Sequence, residues 1–188
     1  MGDASMTGDA WNIPNSLTLL RILLIPVFVG LMLYGRYESA LAVLLGAGLT
    51  DALDGTIARA ANQSTKLGMY LDPLADKLLL TSGFLTMSVL HLVPLWIVIL
   101  VVSRDVILLA GAVLAHLTDS PMDIAPTLLG KGTTVFQLTF LLLAVGCVAW
   151  HKDMRLLDPL LYLVVLLTVA SGFHYLYRGF ARLNVGHI

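Results

Sequence analysis

The constraint that dominates this chain is how little of it can be anything other than apolar helix. Leu17 to Tyr34 reads LTLLRILLIPVFVGLMLY, and comparable runs follow at Ser39 to about Ala61, Leu71 to Leu90, Leu95 to Leu117, Lys131 to Trp150 and Pro159 to Tyr177. A helix crossing a bilayer core needs about 20 apolar residues, so six such spans consume roughly 120 positions of the 188. Short polar stretches are left between them: Gly35 to Glu38, His91 to Pro94, Thr118 to Gly130 and His151 to Asp158. Charged residues make up 12% and hydrophobic ones 58%, where a soluble domain averages roughly a quarter charged. A water-soluble single domain is thereby excluded. The expected fold is an all-α integral membrane protein of six transmembrane helices, residues 17–188, after a short N-terminal interfacial segment, residues 1–16.

In that segment Trp11 is expected at headgroup depth and Pro14 near a helix start. Met1 to Ala10 lacks the basic leader of a cleaved signal peptide, so the first span is expected to be retained. With both termini in the cytoplasm, Arg59, Lys66, Lys131, Arg178 and Arg182 fall inside against Arg36, Lys152 and Arg155 outside, a modest positive-inside bias. Trp11, Trp96, Trp150, Tyr34, Tyr37, Tyr162, Tyr175 and Tyr177 lie mostly near span ends and read as an aromatic belt. A net charge of −1 argues against a nucleic-acid partner. The single cysteine, Cys147, precludes an intrachain disulfide and reads as a small core hydrophobe. His91, His116, His151, His174 and His187 are scattered without ligand spacing.

Against this apolar background, Asp51 and Asp54 close the second run while Asp72 and Asp76 open the third. Spacings of three and four put each pair on one face of its helix. A turn between Thr56 and Met69 would make the two helices antiparallel neighbours, bringing all four carboxylates to one depth. Carboxylates this crowded beside lipid need neutralisation. An all-oxygen donor set suits a hard divalent cation, Mg²⁺ or Mn²⁺, and magnesium with few protein ligands commonly completes its shell with water and substrate phosphate. Gly55, Ala58 and Gly68 allow close approach to the backbone, and Arg59 offers a cation to phosphate. Ion-coupled transporters also carry intramembrane acids, but would spread them over several spans near the midplane.

Asp51-Ala-Leu-Asp54-Gly55-Thr-Ile-Ala58-Arg59, eight residues, then Gly68-Met-Tyr-Leu-Asp72-Pro-Leu-Ala-Asp76 resembles the signature of the CDP-alcohol phosphatidyltransferases at every fixed position. The resemblance implies a transferase at the cytoplasmic membrane face, in a bacterial inner membrane, that uses CDP-diacylglycerol and releases CMP. It further implies a two-metal site held by Asp51, Asp54, Asp72 and Asp76, with Asp76 also the base toward the acceptor hydroxyl. Gly55, Ala58, Arg59 and Gly68 would line the CDP-lipid pocket, and the protein would be a homodimer.

Asn12-Ile-Pro-Asn15-Ser-Leu-Thr18-Leu-Leu-Arg21 is similar to the N-terminal segment of the phosphatidylglycerophosphate synthases within that family. On this likeness Asn15 and Thr18 would help hold the nucleotide and Arg21 would face the polar cavity. Arg104 sits too deep in the fourth span to snorkel. Its neighbour Asp105 points about 100° away on a helix and is therefore expected to be a poor partner for it. Arg21, Arg104 and Lys131 together are expected to form an anion site for a phosphate-bearing acceptor. That favours glycerol 3-phosphate, with phosphatidylglycerol, the acceptor of cardiolipin synthases, or the acceptor of another member of that family as the alternative.

Overall fold

The computed structural model describes residues 13–61, 66–117 and 128–183, with side chains described outside 13–15, 17, 51–73, 112–117, 176 and 178–183. Six α-helices follow one another: α1 (Ile13–Leu33), α2 (Tyr37–Ala61), α3 (Lys66–Val89), α4 (Leu95–Leu117), α5 (Leu128–Ala149) and α6 (Asp158–Leu183). The described residues contain no strand. The helices match the six expected apolar runs, with several ends shifted, α5 starting at Leu128 and α6 running on to Leu183. α1 begins at Ile13, so residues 13–16 belong to the first helix and not to a separate segment; Pro14 is tolerated because first-turn N–H groups have no helical acceptor. α3 begins at Lys66, earlier than expected, which moves Gly68 from the expected turn onto the helix that carries Asp72. The turn before α6 contains a 3₁₀ turn, Met154–Leu157, capped by the Asp153 carboxylate accepting from the Arg155 N–H at 2.9 Å.

The shortest of the six helices has 21 residues, which at 1.5 Å per residue is about 31 Å, the thickness of a bilayer core. Among the described residues, Leu128–Ala149 and Met154–Tyr175 are both long and apolar enough to cross a membrane. Large apolar side chains are exposed on several helices, among them Leu23, Leu49, Ile99, Val135 and Leu166. Water would penalise such a surface, and lipid does not.

Two compact units divide the chain, Met1–Thr86 and Met87–Ile188. In the first, α1 packs on α2. The buried face of α1 carries Thr18, Arg21, Phe28 and Met32, and that of α2 carries Ala40, Leu44 and Ala47. These are the three- and four-residue steps by which one helix buries a stripe. In the second unit α6 packs on both α4 and α5. The α5–α6 seam is polar as well as apolar: the Gln137 amide donates to Thr168 Oγ1 at 3.1 Å, and Thr168 Oγ1 donates to the Val164 carbonyl at 2.7 Å.

α1, α3 and α5 end in the same hydrogen-bonded cap. Gly35 N–H donates to Met32 O and Arg36 N–H to Leu31 O; His91 N–H to Ser88 O and Leu92 N–H to Met87 O; His151 N–H to Val148 O and Lys152 N–H to Cys147 O. This paired pattern needs a residue with positive φ, supplied by Gly35 at 71°, His91 at 58° and His151 at 52°. Histidine there carries the steric cost that glycine escapes. Accordingly, His91→Gly and His151→Gly should each stabilise the fold by about 0.5–1 kcal/mol, and Gly35→Ala should destabilise it by about 1 kcal/mol. Thermal unfolding in detergent checks both signs.

Candidate active site

The aspartates occupy two successive helices. Asp51 and Asp54 lie on α2, and Asp72 and Asp76 on α3, with four residues between the end of one helix and the start of the next. Gly55, Ala58 and Arg59 also lie on α2 and Gly68 on α3. The side chains of Asp51, Asp54, Arg59 and Asp72 lie outside the described residues, as does that of Asn15. Asp76 is described, and its carboxylate is 45% exposed. Helical backbone at these positions sets the members of each pair about one turn apart along their helix. No group of three potential ligands occurs among the described residues. The donor set of the four positions, carboxylate oxygens alone, fits Mg²⁺ or Mn²⁺ better than zinc or copper.

Asp76 is joined to α1. Arg21 Nη1 donates to Asp76 Oδ1 at 2.7 Å, the short distance of a charge-assisted hydrogen bond. Arg21 is 1% exposed, so its charge is enclosed by protein with the Asp76 carboxylate as counter-ion. Thr18, one turn earlier, is fully buried on the same face of α1.

Arg104 overturns an expectation. Its Nη1 donates to Asp105 Oδ1 at 2.7 Å, so the adjacent carboxylate is its ion-pair partner after all. A 100° separation of Cα–Cβ directions fixes only where the side chains start. The guanidinium, at the end of a long flexible stem, folds back to reach its neighbour. Its Nη2 donates to the Gly130 carbonyl at 3.1 Å and to Ser171 Oγ at 3.3 Å, tying α4 to the first turn of α5 and to α6. Gly130 is glycine for want of space, since a Cβ there would lie 2.9 Å from Tyr175 Oη and 3.3 Å from Arg104 Nη2. Tyr175 therefore belongs to this cluster, while Trp96, Trp150, Tyr34, Tyr162 and Tyr177 are exposed as a belt requires. Lys131, the next residue after Gly130, is exposed. Ser171 and Tyr175 were not signalled by sequence; their spacing of four on α6 was the available sign.

A family model for CDP-alcohol phosphatidyltransferases matches residues 11–173. The chain is 37% identical over 87% of its length to a probable CMP-forming cardiolipin synthase of Drosophila melanogaster and 32% identical over 93% to the human CMP-forming cardiolipin synthase. It covers 56% and 64% of those two proteins, less than two thirds of either. It is also 34% identical over 94% of its length to the CDP-diacylglycerol–glycerol-3-phosphate 3-phosphatidyltransferase of Bacillus subtilis, all of which it covers. The chain belongs to the CDP-alcohol phosphatidyltransferase family, whose members are membrane-associated and generally depend on divalent metal ions.

Removing one member of a buried ion pair strands the other in low dielectric. Asp105→Ala should therefore destabilise the protein by about 3–5 kcal/mol. The double variant Arg104→Met/Asp105→Ala should lose less than Asp105→Ala alone, as a thermal-unfolding comparison of the two will show.

Proposed function

We propose that this protein transfers the phosphatidyl group of CDP-diacylglycerol to glycerol 3-phosphate and releases CMP. The observation that carries the reading is the complete aspartate signature laid on α2 and α3, with the Asp76 carboxylate exposed and held from α1. The acceptor is supported by the relative in Bacillus subtilis and by one in Aquifex aeolicus of the same name, 36% identical and covered over 96% of its length.

Asp51, Asp54, Asp72 and Asp76 would hold two ions, Mg²⁺ or Mn²⁺. Such ions supply charge neutralisation of a diphosphate and a clamp on the attacking and leaving oxygens of an in-line displacement. Gly55, Ala58 and Gly68 leave room for the nucleotide at the helix backbone, and Arg59 binds the diphosphate charge. Asn15 supports the nucleotide from α1, while Thr18, fully buried one turn before Arg21, is enclosed like it and does not reach the nucleotide. Asp76 takes the proton of the acceptor hydroxyl as its oxygen bonds to the lipid-side phosphorus and the bond from that phosphorus to the CMP oxygen breaks. A carboxylate needs no elevated basicity for this when it is held against the reacting hydroxyl. Lys131 gives the acceptor's phosphate a mobile, exposed cation. Arg104 positions it by fixing the Gly130 carbonyl.

The reading places all six helices across a bacterial inner membrane with both termini and the active site on the cytoplasmic side, supported by the lysine and arginine distribution. The four residues separating α2 from α3 are within the usual range for antiparallel neighbours, about 2–8. By family resemblance the protein works as a homodimer. A second reading, phosphatidylglycerol as acceptor, is favoured by the similarity to the fly and human cardiolipin synthases.

Purified protein given CDP-diacylglycerol and Mg²⁺ or Mn²⁺ should release CMP with glycerol 3-phosphate. Release with phosphatidylglycerol alone establishes the second reading, and CMP release undiminished by exhaustive chelation removes the metal site from both. Asp76→Asn should abolish turnover while the helical fold is kept by circular dichroism, and, because it takes the counter-charge from the enclosed Arg21, it should lower stability by about 1–3 kcal/mol in thermal unfolding. Lys131→Gln should raise the KM for glycerol 3-phosphate about tenfold or more, the loss of one charge-assisted hydrogen bond, while the KM for CDP-diacylglycerol stays unchanged.

A further inference from the structure

The two ends of the Arg21–Asp76 pair have opposite environments. The guanidinium is 1% exposed and the carboxylate 45% exposed. We propose that Arg21 is a positioning residue that fixes the orientation of Asp76, and that it does not contact the acceptor. This inference rests on the reading of Asp76 as the base and metal ligand, and it reassigns Arg21 from the acceptor site to which its charge alone would give it.

Burial first separates Arg21 from any acceptor. An acceptor phosphate approaches from where water or lipid can reach, and a side chain enclosed to this degree is closed to it unless α1 moves. Arg21 lies on the same face of α1 as Thr18, Phe28 and Met32, all fully buried, so it sits on the enclosed side of the helix. The carboxylate's own need for orientation comes second. The terminal torsion of aspartate is broad, so an isolated Asp76 would sweep its oxygens through a wide arc. A 2.7 Å hydrogen bond from Nη1 to Oδ1 sets the carboxylate plane. A carboxylate offers about four lone-pair directions, so this bond is compatible with a metal contact and with hydroxyl recognition by the same group. Residue type comes third. Arginine is planar and permanently charged, and it delivers its hydrogen bond in a fixed direction, which a lysine ammonium on a flexible stem does not.

The test compares Arg21→Met and Arg21→Lys with wild type by steady-state kinetics and by Mn²⁺ titration of the detergent-solubilised protein, followed by electron paramagnetic resonance. A misaligned base costs about 10²-fold in rate, and loss of a group orienting a metal ligand costs about tenfold or more in metal affinity. Arg21→Met should therefore lower kcat and weaken Mn²⁺ binding to about these extents, with the acceptor KM kept within about twofold. Arg21→Lys should fall between it and wild type. A rise of about tenfold or more in acceptor KM, with kcat and Mn²⁺ binding unchanged, would make Arg21 an acceptor ligand and overturn the proposal. Mn²⁺ binding indifferent to both substitutions overturns it too. If Arg21→Met does not fold, Arg21→Lys, which keeps the charge, is judged by the same readouts. Wild-type protein that releases no CMP with any acceptor refutes the proposed function instead. The Mn²⁺ titration would then still decide whether Arg21 governs Asp76.

Discussion

A guanidinium cannot be enclosed in an apolar bundle without a counter-charge at hydrogen-bonding distance, and Arg21 and Arg104 each meet this condition with an aspartate at 2.7 Å. Low dielectric makes an unpaired charge expensive and a paired one firmly localised. The two pairs serve different ends. Arg104 and Asp105 are both nearly enclosed, and the guanidinium spends its second nitrogen on the Gly130 carbonyl and Ser171, so this pair is a joint between helices. Arg21 is enclosed while its aspartate is half-exposed, so that pair holds a carboxylate at the protein surface.

The surrounding architecture makes such placement possible. Identical hydrogen-bonded caps close α1, α3 and α5, so each helix ends sharply and the chain turns within a few residues. Small residues set how close helices come: Ala40 and Ala47 on the α2 face packed in the core, and Gly130 where the Arg104 guanidinium and the Tyr175 phenol meet the α5 backbone. Along the α5–α6 seam the Thr133 and Thr168 hydroxyls and the Gln137 amide nitrogen bond across it or back to their own helix, while the buried Gln137 Oε1 has no partner among the described residues.

Much of this was legible in the sequence, because lipid imposes a simple grammar: apolar runs of fixed length become helices, and acids within them demand an explanation. The aspartate signature was readable for the same reason, since spacing on a helix converts directly into direction. The left-handed caps at His91 and His151 were not readable. Histidine is unusual at such positions, and no glycine marked them as it marked Gly35. Tyr175 was assigned to the membrane interface by its position near a span end, yet packing against Gly130 turned it inward.

The sequence by itself determined the helices and the family signature, since each depends on residues close together along the chain. Only the tertiary structure decided the partners of the arginines. Arg21 meets Asp76 across 55 positions, and Arg104 folds back on its neighbour while reaching Gly130 and Ser171. A long, flexible cation can satisfy its charge in many directions. Which anion or carbonyl it finds is set by how the helices pack, and no local pattern of residues records that.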